Sequence, residues 1–348
     1  MTGAQLAVFV VAALVTWGAG LLLARTTDSL DRRLNLGDAI GGLVLLAIAG
    51  SLPELAITVS AASAGNLDLA AGNLIGGIAT QTMVLVLCDL VVPSKPLTYL
   101  VGSLLPVLEG LLVVLVVVGV LLGALLPASA AVGGVVSPAS IAIVVVWVAG
   151  IIGFDRVRKA PKWEIVMHGA RPGRRHRRIV TETTPTPLKP VSTTVVVLLF
   201  VLGCVLTLGA GVALEVTGND LADRAGMNGV VFGATVLALA TALPEISSGI
   251  EAVRLGDHQL AVGDIFGGNA FQVCLFLVAD LIAAKPVLAQ AGTLNSWLAA
   301  LAIGLTAVYA IGVIVRVMLE EGLFDASEST PQPAPQTGSA PLKKRRWF

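Results

Sequence analysis

Gly50-Ser51-Leu52-Pro53-Glu54 lies in the middle of a long apolar run, and Thr241-Ala242-Leu243-Pro244-Glu245 repeats its ending in a second run. An apolar run of that length reads as a membrane-spanning helix. A carboxylate near a bilayer centre is costly, and so is a proline inside a helix. Carrying both penalties twice, in the same order, is hard to explain as packing. The two stretches are read as facing each other and holding a cation.

The rest of the chain fits a polytopic membrane protein. Of its 348 residues, 56% are hydrophobic and 13% charged, a balance that excludes an ordinary soluble domain. The formal net charge is zero, so only the distribution of charge informs. Ten Lys or Arg residues lie between Arg156 and Lys189, and Lys343, Lys344, Arg345 and Arg346 crowd the C-terminus. Cys88, Cys204 and Cys274 sit inside apolar runs and read as free, hydrophobe-like thiols. No basic residue precedes the first apolar run, so a cleaved signal peptide is not expected.

Apolar runs predict nine spans, at about 4–24, 37–64, 68–91, 99–126, 133–153, 191–214, 228–254, 258–283 and 294–318. The predicted organisation is a first repeat half over 1–153, a basic cytoplasmic loop over 154–190, a second repeat half over 191–318 and a disordered tail over 319–348. The basic loop and tail belong on the cytoplasmic side. Counting spans outward from them puts the N-terminus outside and the C-terminus inside. Arg25, Arg32, Arg33, Arg254 and Arg316 then fall inside, and an acidic turn from Glu215 to Asp223 falls outside. Lys285 is the exception, landing outside.

A shift of 191 residues aligns 41–90 with 232–281 without a gap, with about 18 of 50 positions identical. Apolar matches are cheap between spans. The informative matches are Pro53/Pro244, Glu54/Glu245, Gly65/Gly256, Gly72/Gly263, Gly76/Gly267, Gly77/Gly268, Gln81/Gln272 and Asp89/Asp280. An odd number of predicted spans separates the copies, so they enter from opposite sides. Such inverted repeats are common in secondary transporters, where the site lies at the repeat interface near the midplane.

The residue types suit a cation. Proline removes the hydrogen bond to the carbonyl four residues back, which frees the carbonyls of Ala49 and Ala240. Ser51 and Thr241 add hydroxyl oxygens, and Glu54 and Glu245 supply two negative charges. Hard cations such as Ca²⁺ take about 6–8 such oxygens. In helix three, Asn73, Gly76, Gly77, Thr80 and Gln81 share one helical face. The second copy reads Asp264, Gly267, Gly268, Phe271 and Gln272. Glycines allow close helix approach, and Gln81 and Gln272 are expected to offer amide oxygens. Asn73 and Asp264 read as polar packing residues or secondary ion contacts. Asp89 and Asp280 read as helix ends or as lining of the two access routes. Glu109 has no counterpart and reads equally as a proton carrier or a locally paired acid.

These blocks resemble the α-repeats of the cation/Ca²⁺ antiporter superfamily, most closely its Na⁺/Ca²⁺ exchanger branch. Each family repeat carries G-[T/S]-S-x-P-[E/D] and then G-N-x-x-G-S-N-x-x-[N/D]. The counterparts here are Ala49 to Glu54 with Gly72 to Gln81, and Ala240 to Glu245 with Gly263 to Gln272. Gly77 and Gly268 stand where the pattern has Ser, and Gln81 and Gln272 where it ends in Asn or Asp. The resemblance implies an all-α membrane fold of two inverted repeats, usually of ten helices, with Glu54 and Glu245 as central ligands and helices one and six as the moving pair. It implies antiport of Ca²⁺ or another cation against Na⁺ or H⁺. Na⁺/H⁺ or K⁺/H⁺ antiport, or a non-transporting cation sensor, stand as alternatives. The expected partners are inorganic cations and the lipid bilayer of the plasma or inner membrane, with no nucleic acid, no cofactor beyond the transported ions, and a monomeric chain. An intramembrane aspartyl protease is the rival from enzyme chemistry. Its Gly-x-Gly-Asp element is not matched by Ala261-Val262-Gly263-Asp264, and no Tyr-Asp pair exists.

Overall fold

The computed structural model describes residues 2–34, 48–92, 96–101, 105–159, 191–254, 256 and 258–320. The predicted second span before residue 48, the basic segment over 160–190 and the tail beyond 320 lie outside them. The described chain is almost entirely helical. The first half contains α1 (Thr2–Leu34), α2 (Leu52–Ala64), α3 (Leu67–Val91), α4 (Leu105–Leu125) and α5 (Pro138–Lys159). The second contains α6 (Thr193–Ala225), α7 (Gly229–Thr241), α8 (Leu243–Arg254), α9 (His258–Gln272), α10 (Leu275–Ala283) and α11 (Thr293–Glu320).

Among the described residues, six helical segments are long and apolar enough to cross a bilayer, counting α9 and α10 as one span, and α7 with α8 makes a seventh. Two shorter apolar helices, Leu52–Ala64 and Pro138–Phe154, fall within the other two predicted spans. The two matched breaks are where Pro53 and Pro244 stand. Helix at 48–50 gives way to a turn at Ser51, and α2 restarts with Pro53 in its first turn. In the second copy, α7 and α8 meet at Ala242 with a 48° bend. Proline tolerates the first turn of a helix, where its missing N–H has no intrahelical partner to lose. A π-helical turn over Gly233–Leu237 loosens α7 further. At their far ends α2 and α8 reach Gly65 and Gly256, with φ of 81° and 80°. Only glycine adopts that left-handed cap without strain, which explains why the repeat keeps it.

Two expected boundaries are corrected. The acidic stretch from Glu215 to Asp223 is not a turn. It continues α6 to Ala225, where Gly226 (φ 64°) ends the helix. Within that helix the buried Glu215 carboxylate is satisfied by hydrogen bonds: Oε2 accepts from Ser60 Oγ at 2.7 Å and Oε1 from Asn66 Nδ2 at 2.8 Å. Likewise residues 154–159, assigned to the basic loop, complete α5.

The centre of the bundle is built from α3 and the α9–α10 span, each 61% buried. α1, α6 and α11 are only 28–33% buried and turn exposed residues such as Leu6, Val10, Leu198 and Val205 outward. That is the distribution expected when lipid, not water, surrounds the outer helices. α3 meets α7 backbone to backbone. A β-carbon on Gly233 would lie 2.5 Å from the Leu69 carbonyl, and one on Gly72 or Gly76 would collide with Val230 or Ala234. One apolar cluster joins α3, α4 and α9–α11, and a second joins α1, α2, α6 and α7 through Phe9, Ile57, Leu214 and Phe232.

Candidate functional site

Glu54 and Glu245 each stand in the first turn of a half-helix. A helix N-terminus carries partial positive charge, so both carboxylates occupy the favourable end. The two come from opposite repeats and are charged neighbours, with Asp264 the next charge facing Glu245. Glu54 is 1% exposed, and Gln81 Nε2 donates to its Oε1 at 3.4 Å. The Thr241 hydroxyl donates to the Ala238 carbonyl at 3.2 Å. The second oxygens of both glutamates, Oε2, are buried with no hydrogen-bond partner among the described residues. Buried polar atoms in folded proteins are nearly always satisfied, so an orphaned carboxylate oxygen on each repeat marks a place for a missing donor or cation.

A cavity of about 50 Å³ opens at Glu245, bordered also by Asp264, Ser248, Gln81, Ser51 and Thr207, whereas Glu54 and Thr241 do not border it. It has room for an ion with a few waters. Ala49 also borders it, as expected from its place before Pro53. Ser248 links its acidic wall, donating to Asp264 Oδ2 at 3.2 Å and lying 3.3 Å from the Glu245 carbonyl. Asp264 therefore stands in the cavity wall. Asn73, its repeat mate, is fully buried elsewhere, and its side-chain amide makes no hydrogen bond among the described residues. Among the described residues, no three acidic, imidazole or thiol groups converge tightly enough to hold a metal ion by themselves. A cation here needs neutral oxygens as well.

The two glutamines part company. Gln81 faces Glu54, whereas Gln272 turns its Nε2 to the α3 backbone, donating to the carbonyls of Leu74 at 2.9 Å and Asn73 at 3.3 Å. Neither Gln272 nor Ala240 borders the cavity. Asp89 and Asp280 serve loops. Asp89 accepts from the Leu97 amide, and Asp280 accepts from the amides of Val287 at 2.7 Å and Ser137 at 2.9 Å. Glu109 is buried against Gly263, the residue before Asp264.

Sequence reasoning named helices one and six only as the moving pair that the resemblance implies and passed over the residues they share. α1 carries Thr16-Trp17-Gly18-Ala19-Gly20 and α6 carries Thr207-Leu208-Gly209-Ala210-Gly211, at the same shift of 191. A β-carbon on Gly20 would lie 2.6 Å from Pro244 Cγ, and one on Gly211 would lie 2.5 Å from Ala56 Cβ and 3.0 Å from the Pro53 carbonyl. Each outer helix thus packs on the Pro-Glu break of the other repeat. Trp17 Nε1 also donates to Ser247 Oγ at 2.6 Å.

Broken half-helices from two repeats, each starting with a proline and a glutamate inside an apolar bundle and with their glutamates close enough to interact, are the arrangement secondary transporters use. The comparisons give the family. The chain matches the sodium/calcium exchanger protein family over residues 4–153 and 195–329, and it belongs to that family as a multi-pass protein of the plasma or inner membrane. It is 27% identical over 288 residues to CaxA of Alkalimonas amylolytica, named as an antiporter, covering 83% of each chain. It is 37% identical over 57 residues to the inner membrane protein YrbG of Escherichia coli (strain K12), covering 16% of this chain and 18% of that one. Its fold is similar to that of the sodium-calcium exchanger NCX_Mj (TM-score 0.56, 14% identity, 95% of this chain and 100% of that one). It is also similar to that of the H⁺/Ca²⁺ exchanger CAX (TM-score 0.59, 13% identity, 92% of each).

Proposed function

We propose that the chain is a secondary-active antiporter that exchanges Ca²⁺, or another cation, against Na⁺ or H⁺ by alternating access around Glu54 and Glu245. The observation that carries this reading is the pair of half-helices, one from each repeat, whose interacting glutamates each keep an unsatisfied buried oxygen. Gln81, Thr241 and Ser51, with the backbone freed at Ala49 and Ala240, complete an oxygen-rich environment of the kind hard cations take. Protons and the cation compete for the same carboxylates. Residues 1–159 and 191–318 act as the two repeat halves, with 160–190 and 319–348 on the cytoplasmic side, the N-terminus outside and the C-terminus inside. α1 and α6 move against the core.

A second reading, Na⁺/H⁺ or K⁺/H⁺ exchange on the same fold, is favoured by one observation. The acidic groups do not converge in threes among the described residues, which suits a monovalent ion better than a divalent one. Flux in proteoliposomes with Ca²⁺, Na⁺, K⁺ and pH gradients imposed one at a time separates the two readings. Glu54→Gln and Glu245→Gln should each abolish that flux. Retained flux in both variants overturns the mechanism.

A further inference from the structure

Several helical threonines in this protein satisfy their hydroxyls within their own helix. Thr26, Thr82, Thr217 and Thr235 each donate to the carbonyl four residues back, at 2.5–2.8 Å. Thr16 and Thr207 do not. Both are 0% exposed, and neither hydroxyl has a hydrogen-bond partner among the described residues. Thr27, Thr58 and Thr306 share that lack, but none of them borders the cavity, whereas Thr207 does, together with Glu245, Gln81 and Ser51.

The position of this pair is fixed from a second direction. Thr16 and Thr207 are matched by the 191-residue shift, and each lies four residues before the glycine that docks on a Pro-Glu break. Four residues is about one helical turn, so each threonine shares the face of its docking glycine. Thr207 borders the cavity in this structure and Thr16 does not. Alternating access rocks one bundle against the other around a fixed site, so matched residues on the two outer helices approach that site differently in the two states.

We infer that Thr207 and Thr16 form a two-fold-related pair of hydroxyl ligands for the cation, used in turn. Thr207 contributes its oxygen in the state seen here, and Thr16 contributes in the state open to the other face. The pair places a neutral oxygen on each outer helix, where the shortage of converging acids calls for one. It also makes cation occupancy sense the position of α1 and α6 directly. The inference rests on the antiport reading and adds ligands outside the two Pro-Glu blocks.

The test uses the full chain in right-side-out and inside-out membrane vesicles. It reads the half-saturating concentration of radioactive Ca²⁺, or of radioactive Na⁺ where the unmodified chain moves only Na⁺. Thr207→Val and Thr16→Val keep side-chain shape and remove the hydroxyl. Each should raise the half-saturating concentration about tenfold, the worth of about one modest ligand contact, and each at a different face. Thr207→Ser and Thr16→Ser should recover most of the affinity at the same face. Cation-dependent thermal stabilisation of the purified variants gives a readout free of transport and identifies any variant that fails to fold. Valine variants with unchanged half-saturation at both faces, or with a shift at the same face for both, overturn the inference while flux of the unmodified chain leaves antiport standing. No flux from the unmodified chain under any gradient overturns the antiport reading and this one with it.

Discussion

A β-carbon on Gly20 would stand 2.6 Å from Cγ of Pro244, so α1 touches the break of the second repeat with nothing between. Proline's ring cannot swing aside as a flexible side chain can. Gly20→Ala should therefore push α1 off α8, costing about 1–3 kcal/mol of overpacking. Gly211→Ala should do the same to α6 against Ala56 and Pro53. Gly18→Ala is the control, since nothing lies within 4 Å of the position a β-carbon would take. Melting in detergent should fall for the first two and hold for the third, and flux should follow the melting order.

The adjacent glycines of α3 should behave differently from one another. A β-carbon on Gly76 meets the Ala234 backbone, which cannot yield. One on Gly77 meets the end of the Gln272 side chain, which can. Gly76→Ala should separate α3 from α7 and prevent a monodisperse protein from forming. Gly77→Ala should displace the Gln272 amide and forfeit its bond to the Leu74 carbonyl, a loss of about 0.5–1.5 kcal/mol. Size-exclusion profiles and melting temperatures of the two variants decide the point.

Asp264 gives the site its asymmetry. Asp264 and Ser248 border the cavity, whereas their repeat mates Asn73 and Ile57 do not. Asp264→Asn makes the second copy resemble the first and removes a negative charge facing Glu245. Flux should survive, because both glutamates remain. The half-saturating concentration of a divalent cation should rise about tenfold, a change of about 1.4 kcal/mol. The same constant for a monovalent cation should move less, since its single charge interacts with the lost carboxylate half as strongly. Equal shifts for both ions would remove Asp264 from selectivity.

Much of this was legible because polar identities in apolar spans are expensive and therefore informative. Pro53, Glu54, Gln81 and their mates announced the repeat, and the structure puts Glu54 beside Glu245 as that pattern implied. The matched Thr16 and Thr207 motifs were equally present in the sequence, but their Gly and Ala identities look like ordinary span composition until Gly20 and Gly211 are seen against the prolines. The different fates of Gln81 and Gln272 were not legible. An amide takes whichever partner the tertiary fold offers, and α3 offers Gln272 two carbonyls. Asp89 and Asp280 were matched yet serve loops, because a carboxylate at a helix end satisfies the nearest amides of the following chain. The helical course of Glu215 was hidden for the same reason: Ser60 and Asn66, which hold it, are about 150 residues away in sequence.

Glu215 supplies the last prediction. It is 1% exposed and ties α6 to the last turns of α2 and to the connection that follows, through hydrogen bonds from Ser60 Oγ and Asn66 Nδ2. Ala24 occupies the matched position in α1 and can make no such tie. The clamp therefore acts on one repeat only. Hydrogen bonds to a charged acceptor contribute about 1.5–3 kcal/mol each, and deleting the acceptor leaves both donors unpaired. Glu215→Ala should cost about 2–4 kcal/mol of stability, while Glu215→Gln, which keeps one carbonyl acceptor, should cost less. Ser60→Ala in the Glu215→Ala background should add little, since its partner is already gone. A double-mutant cycle on thermal stability should return a coupling of about 0.5–3 kcal/mol between positions 60 and 215. Additive single-site losses would show that the two side chains do not act as a unit. If the clamp also holds α6 in the state seen here, Glu215→Ala should change the half-saturating cation concentration at one membrane face more than at the other.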